Sequence, residues 1–189
     1  MLNNDLKLMK LIDILKNRNL TKYFILGLSL LIAILILKKF FLLAVLIGIS
    51  LVISYFIGMF QMSKSIGIEL VTFTTFLAGF AFGPTTGAAI GLILITIHLI
   101  IGHFAFGPYI FWTIPLYIML GILAGTLTGF EFVTLGIYSM LAINIISMIL
   151  TAITYYQNLV NYIPFSITNI IFNLMLFLQF GPAIYSLVK

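Results

Sequence analysis

Long apolar stretches, separated by short polar segments, dominate the pattern of the chain. Seven such stretches occur, at residues 23–37, 40–60, 70–82, 87–104, 110–130, 132–153 and 163–188. Apolar and polar positions do not alternate within them, which favours helices over the strands of a membrane β-barrel. A helix needs about 20 apolar residues to cross a hydrocarbon core of roughly 30 Å. The pattern therefore predicts an all-α polytopic membrane protein.

Composition agrees with this prediction. Hydrophobic residues make up 63% of the 189 positions and charged residues only 7%, which leaves too little polar surface for a water-soluble globule. The formal charge of +5 does not indicate nucleic-acid binding, because five of the nine basic residues fall within the first 22 positions beside an apolar stretch. Such a cluster is typical of a cytoplasmic flank at an anionic membrane surface.

Three parts follow along the chain. Residues 1–22 form a basic amphipathic arm, expected to lie at the cytoplasmic membrane surface, and residues 23–37 form an extra hydrophobic segment that either spans or re-enters. Residues 40–189 form the main domain. If the extra segment re-enters, eight of nine basic residues lie inside and six spans remain, which the positive-inside rule prefers. We therefore expect a six-helix transmembrane bundle with its basic N-terminus in the cytoplasm.

Polar side chains fall at one end of this bundle when successive spans alternate in direction. They are His98, His103, Tyr109, Trp112, Asn144, Asn169 and Asn173, with Lys64, Glu69, Gln157 and Asn158 in loops at the same end. Polar groups at membrane depth usually face the bundle interior or a wet cavity, so the cluster indicates a binding pocket. The alternatives are interhelical hydrogen bonds for the asparagines, a structural role for His98, and an interfacial belt for the aromatic residues.

No catalytic or metal-binding pattern accompanies the cluster. The sequence lacks cysteine and the HExxH, GxSxG and Walker A motifs. Beyond residue 13 it has only two carboxylates, Glu69 and Glu131, which the expected topology places at opposite membrane faces. The five-residue spacing of His98 and His103 does not place both imidazoles on one helix face. We expect a protein that is not an enzyme and has neither a cofactor nor a metal site.

Residues 69–91, ELVTFTTFLAGFAFGPTTGAAIG, combine a polar start, a short span ending in small residues, and a Gly-Pro-x-x-Gly opening of the next span. This stretch resembles the region joining the second and third helices of substrate-binding (S) components of energy-coupling factor transporters. The resemblance extends loosely over residues 40–189. It implies a six-helix bundle in the plasma membrane that captures a micronutrient from outside, with a transmembrane coupling subunit and two ATPase subunits as partners. It also implies that Ala44 and Gly48, where the family has an Ala-x3-Ala face, contact the coupling subunit.

The sequence thus predicts a substrate-capture subunit of an importer. Trp112 would stack on a planar ligand and the amides would orient it, while segments 61–69 and 154–162 would form a lid containing Lys64 and Glu69. A vitamin-like organic molecule suits these groups better than a metal ion, for which carboxylates and thiolates are missing. Two rival functions stay open: a non-catalytic scaffold of the cell-shape type, and a self-contained facilitator.

Overall fold

The computed structural model describes residues 18–59, 66–102 and 107–189, and all regular structure in these ranges is helical. The basic arm at residues 1–17, Lys64 and His103 lie outside the described residues. The helices are α1 Arg18–Met59, α2 Val71–Phe82, α3 Pro84–Ile101, α4 Ile110–Thr126, α5 Phe132–Thr154, a 3-10 turn Tyr156–Asn158, α6 Leu159–Met175, a π-helical turn Leu176–Phe180 and α7 Gly181–Val188.

Four helical segments are long and apolar enough to cross a membrane: Leu37–Met59, Pro84–Ile101, Phe132–Thr154 and Tyr156–Val188. The prediction of an all-helical fold is confirmed for the described residues, and the four long apolar segments agree with a membrane protein. The count of six spans is not confirmed, because α2 and α4 contain 12 and 17 residues. At 1.5 Å per residue these helices reach about 18 Å and about 26 Å, less than a typical hydrocarbon core.

The chain divides into two compact units, Met1–Phe40 and Phe41–Lys189. In the first unit the described residues belong to α1, and Lys38 and Lys39 lie within this helix rather than ending it. The interruption in hydropathy at these two lysines therefore does not end the helix, although the boundary between the two units falls next to it. Lysine has a high helix propensity, so two charged side chains interrupt hydropathy without interrupting the backbone hydrogen bonds.

In the second unit, a Gly-Pro turn joins α2 to α3. Gly83 has a φ of +97°, a left-handed conformation that glycine adopts without strain, and its amide donates to the Gly79 carbonyl at 2.9 Å. Pro84 opens α3 at a position where its missing amide hydrogen costs nothing. The turn lets α2 and α3 return beside each other.

Glycines allow α2, α3 and α4 to pack closely. A Cβ atom on Gly87 would lie 2.5 Å from the Gly79 Cα and 2.8 Å from the Gly121 Cα, and a Cβ on Gly121 would overlap backbone atoms of Gly87. Gly79, Gly87 and Gly121 thus form a packing face inside this chain. This close three-helix contact positions the N-terminal end of α2 against the rest of the bundle.

An aromatic cluster fills the bundle around the C-terminal half of α2. Its members are Phe73, Phe76, Phe80, Phe132, Phe177 and Tyr185. The rings of Phe132 and Tyr185 stack at 4.7 Å, and Phe76 meets Phe177 edge-on at 5.2 Å. Phe73 and Phe177 lie close in sequence to the polar residues described next, whereas Phe80, Phe132 and Tyr185 lie toward the other end of the bundle.

Candidate functional site

A buried carboxylate lies at the N-terminal end of α2. Glu69 is only 2% exposed. It accepts hydrogen bonds from the Thr72 amide at 2.9 Å and the Thr72 hydroxyl at 2.5 Å. It also accepts from Nδ2 of Asn169 at 2.9 Å and, more weakly, from Nδ2 of Asn173 at 3.4 Å. The first turn of α2 and one face of α6 therefore meet at this carboxylate.

Asn169 is the centre of the network. Besides Glu69, its Nδ2 donates to the Gly67 carbonyl at 3.0 Å, and its Oδ1 accepts from Nδ2 of Asn144 at 2.9 Å. Oδ1 of Asn144 in turn accepts from the Ser166 hydroxyl at 3.0 Å. The three asparagines predicted from the sequence, on α5 and α6, are thus joined by hydrogen bonds.

The chain immediately before α2 is held against α6. The Gly67 amide donates to the Thr168 hydroxyl at 2.7 Å, while its carbonyl accepts from Asn169. A Cβ atom at position 67 would overlap the Phe165 carbonyl and would lie 2.6 Å from the Asn169 Cβ, so only glycine fits. This contact carries Glu69 into the bundle.

Tyr117, in the middle of α4, extends the network. Its hydroxyl lies 2.9 Å from the Thr72 hydroxyl, and both residues are buried. On α3, His98 is also buried, and its Nδ1 lies 2.8 Å from the Ser54 hydroxyl on α1. The Glu69 network therefore draws polar side chains from α2, α4, α5 and α6, and the His98–Ser54 pair joins α3 to α1.

Glu69 differs from the sequence-based expectation. The sequence predicts Glu69 in a lid, but its side chain is buried because the carboxylate completes the hydrogen bonds of the α2 N-terminus and of two asparagine amides. A negative charge at this position also interacts favourably with the helix dipole.

The remaining predicted site residues lie outside the network. Tyr109 and Trp112 are half-buried at the start of α4, Asn158 is half-buried in the 3-10 turn, and Gln157 is exposed there. Their side chains have no hydrogen bond to Glu69, Asn144, Asn169 or Asn173. The structure therefore joins the three asparagines by hydrogen bonds, whereas His98 pairs with Ser54.

Several residues in the network were not predicted from the sequence. Thr72 carried one available signal, since it lies three residues after Glu69 at a helix start, a spacing at which side chains and backbone amides cap each other. No such signal in the sequence pointed to the other four residues, which are Tyr117, Ser54, Ser166 and Thr168. Hydroxyl residues are common in membrane helices, and their partners depend on how the helices are rotated.

The second carboxylate beyond residue 13 has a different environment. Glu131 is exposed and caps α5, accepting from the amides of Val133 at 3.0 Å and Thr134 at 2.6 Å. Hydrogen bonds from the Thr134 hydroxyl, and then from the two amides, lower the pKa of Glu131. Among the described residues, no group of three or more histidine, cysteine, aspartate or glutamate side chains could hold a metal ion.

No protein-family model, curated protein or solved structure matches this chain. The fold and the buried network, together with the resemblance in residues 69–91, are therefore the basis for assigning a function.

Proposed function

We propose that this protein is the substrate-capture subunit of an energy-coupling factor importer for a small micronutrient. The observation that carries the proposal is the buried network of Glu69, Asn144, Asn169 and Asn173 at one end of an apolar bundle. Burying a carboxylate and three amides costs free energy that apolar packing would avoid, and in membrane proteins such groups commonly mark substrate pathways.

In this proposal residues 40–189 form a six-helix bundle in the plasma membrane, with α2 and α4 as short spans. Polar flanking residues or local thinning of the bilayer compensate for their length. The cytoplasmic N-terminus puts the network toward the outer surface. Trp112 and Tyr109, half-buried at the start of α4, are available to stack on a flat ligand. The subunit performs no catalysis, and separate ATPases supply the energy.

The proposal assigns the small-residue face of α1 to the coupling subunit. Ala44 and Gly48 are both exposed, and a Cβ atom on Gly48 would have no neighbour within 4 Å. Successive residues of a helix are about 100° apart, so positions four apart lie nearly above one another. Small side chains there let a second helix approach closely.

The first experiment is purification of the full-length protein from native membranes in mild detergent, followed by mass spectrometry of proteins and released small molecules. We expect a membrane coupling subunit and two ATPases. Cell-envelope assembly proteins without a small molecule would instead support the scaffold function. Flux through liposomes containing only this protein, without ATP, would support a self-contained facilitator.

A substitution on α1 tests the docking face separately. Gly48→Leu adds a side chain where the isolated protein has open space, so we expect it to fold normally but to lose the coupling subunit and ATPases on purification. Ile49→Phe is the matched control, because Ile49 is also exposed but points about 100° away. Retention of the partners by both variants would contradict this docking face.

A further inference from the structure

The carboxyl group of Glu69 is surrounded by uncharged hydrogen-bonding groups. Its four contacts are with the amide and hydroxyl of Thr72 and with the Nδ2 groups of Asn169 and Asn173. The Thr72 hydroxyl also lies 2.9 Å from the Tyr117 hydroxyl, and either of these two hydroxyls can be the donor. Several donors around one carboxyl group stabilise its negatively charged form.

All of these donors are neutral. In the part of the chain that the structure describes, the buried negative charge of Glu69 has hydrogen bonds but no ion pair. Hydrogen bonds reduce the cost of burying a charge, but a positive partner compensates it far better. A ligand that carries a positive charge would therefore bind here with an electrostatic stabilisation that a neutral ligand lacks.

An unused acceptor belongs to the amide that contacts Glu69. Among the described residues, Oδ1 of Asn173 has no hydrogen-bond partner, although Asn173 is completely buried. Nδ2 of the same amide donates to the Asn169 backbone carbonyl at 3.1 Å and, more weakly, to the Glu69 carboxylate at 3.4 Å. Buried carbonyl oxygens are nearly always paired in folded proteins, so this oxygen can accept a hydrogen bond from a ligand.

We propose that Glu69 and the Asn173 oxygen together bind a positively charged, hydrogen-bond-donating nitrogen group of the substrate, such as an amidinium or a protonated amine. The inference rests on the proposed capture function and specifies its substrate class as a flat organic cation. An anionic group would be repelled by Glu69. A divalent metal ion would find one carboxylate and neutral oxygens in a site without further acidic ligands among the described residues.

Three probes of nearly identical shape test the charge preference: benzamidinium, benzamide and benzoate, which are cationic, neutral and anionic. Each is titrated into the purified full-length protein in detergent, with binding measured by calorimetry and by the shift in melting temperature. We expect benzamidinium to bind at least about tenfold more tightly than the other two, since charge-assisted hydrogen bonds are about twice as strong as neutral ones. Equal binding of all three probes, or binding of none, would overturn the inference.

Variants then test the residues. Glu69→Gln keeps the shape of the side chain and should abolish the preference for benzamidinium, whereas Glu131→Gln, at an exposed helix cap, should keep it. Asn173→Leu keeps Glu69 but removes the unpaired oxygen, and should weaken benzamidinium binding about tenfold. It serves as the second variant if Glu69→Gln does not fold. A wild-type preference for benzamidinium in either of these two variants would refute the assigned site.

The outcomes separate this inference from the proposed function. Benzamidinium selectivity that depends on Glu69, without co-purifying ATPases, would retain the cation site and reject the importer. Co-purifying ATPases without charge selectivity would retain the importer and reject the cation site.

Discussion

Replacing Asn169 by alanine removes the centre of the buried network. The side chain makes three hydrogen bonds: to the Gly67 carbonyl, to the Glu69 carboxylate and from the Asn144 amide, at 2.9 to 3.0 Å. Asn169 is only 2% exposed. Water therefore cannot easily replace the lost partners, and a carboxylate, a carbonyl and an amide are each left with one bond fewer.

The expected loss follows from these three bonds. A hydrogen bond to a charged group contributes about 1.5–3 kcal/mol and each neutral one about 0.5–1.5 kcal/mol. Measured values within membrane bundles average only about 0.6 kcal/mol per bond, because the unfolded chain in a membrane also finds partners. Between these limits we expect Asn169→Ala to lower the free energy of unfolding by about 2–4 kcal/mol.

The assay is reversible unfolding in mixed detergent micelles, followed by circular dichroism. Asn161→Ala is the matched control, because Asn161 is exposed on the same helix, α6, and its replacement should change stability by less than about 0.5 kcal/mol. If the two variants unfold with the same free energy, the hydrogen-bond network does not stabilise the bundle and the reasoning fails.

Two further predictions concern packing and pH. Gly121→Ala should destabilise the bundle by about 1–3 kcal/mol, because the added Cβ would meet backbone atoms of Gly87 and Ala88. Gly48→Ala is the control: its Cβ has open space, so it should be neutral or stabilising in the same unfolding assay. Equal stability of the two variants would contradict the packing face. Glu131→Gln should lower the melting temperature at neutral pH, because the folded state lowers the pKa of Glu131 and the ionised cap therefore stabilises it. This stabilisation is fully present above the unfolded-state pKa and is lost as the pH falls through the folded-state pKa. Melting curves from neutral to acidic pH should therefore converge for wild type and variant, and a constant difference would argue against the cap.

Much of the fold could be predicted from the sequence, because hydropathy and turn chemistry are local. In the described residues every apolar stretch overlaps a helix, the first two within α1, and Gly83 and Pro84 mark the turn between α2 and α3. Lys38 and Lys39 interrupt the hydropathy of α1 but not its backbone. The number of spans stays a prediction, because the lengths of α2 and α4 leave it undetermined.

The sequence by itself determined that the protein is apolar and helical. It also predicted that asparagines and histidines group toward one end of the bundle, because the alternating direction of successive spans sets the depth of each residue in the membrane. Only the tertiary structure decided that Glu69 is buried and that Thr72, Tyr117 and Asn169 surround it. The partners Glu69 and Asn169 lie 100 positions apart in the chain. Which face of each helix turns inward depends on close packing through glycines such as Gly87 and Gly121, and no local pattern in the sequence specifies that rotation.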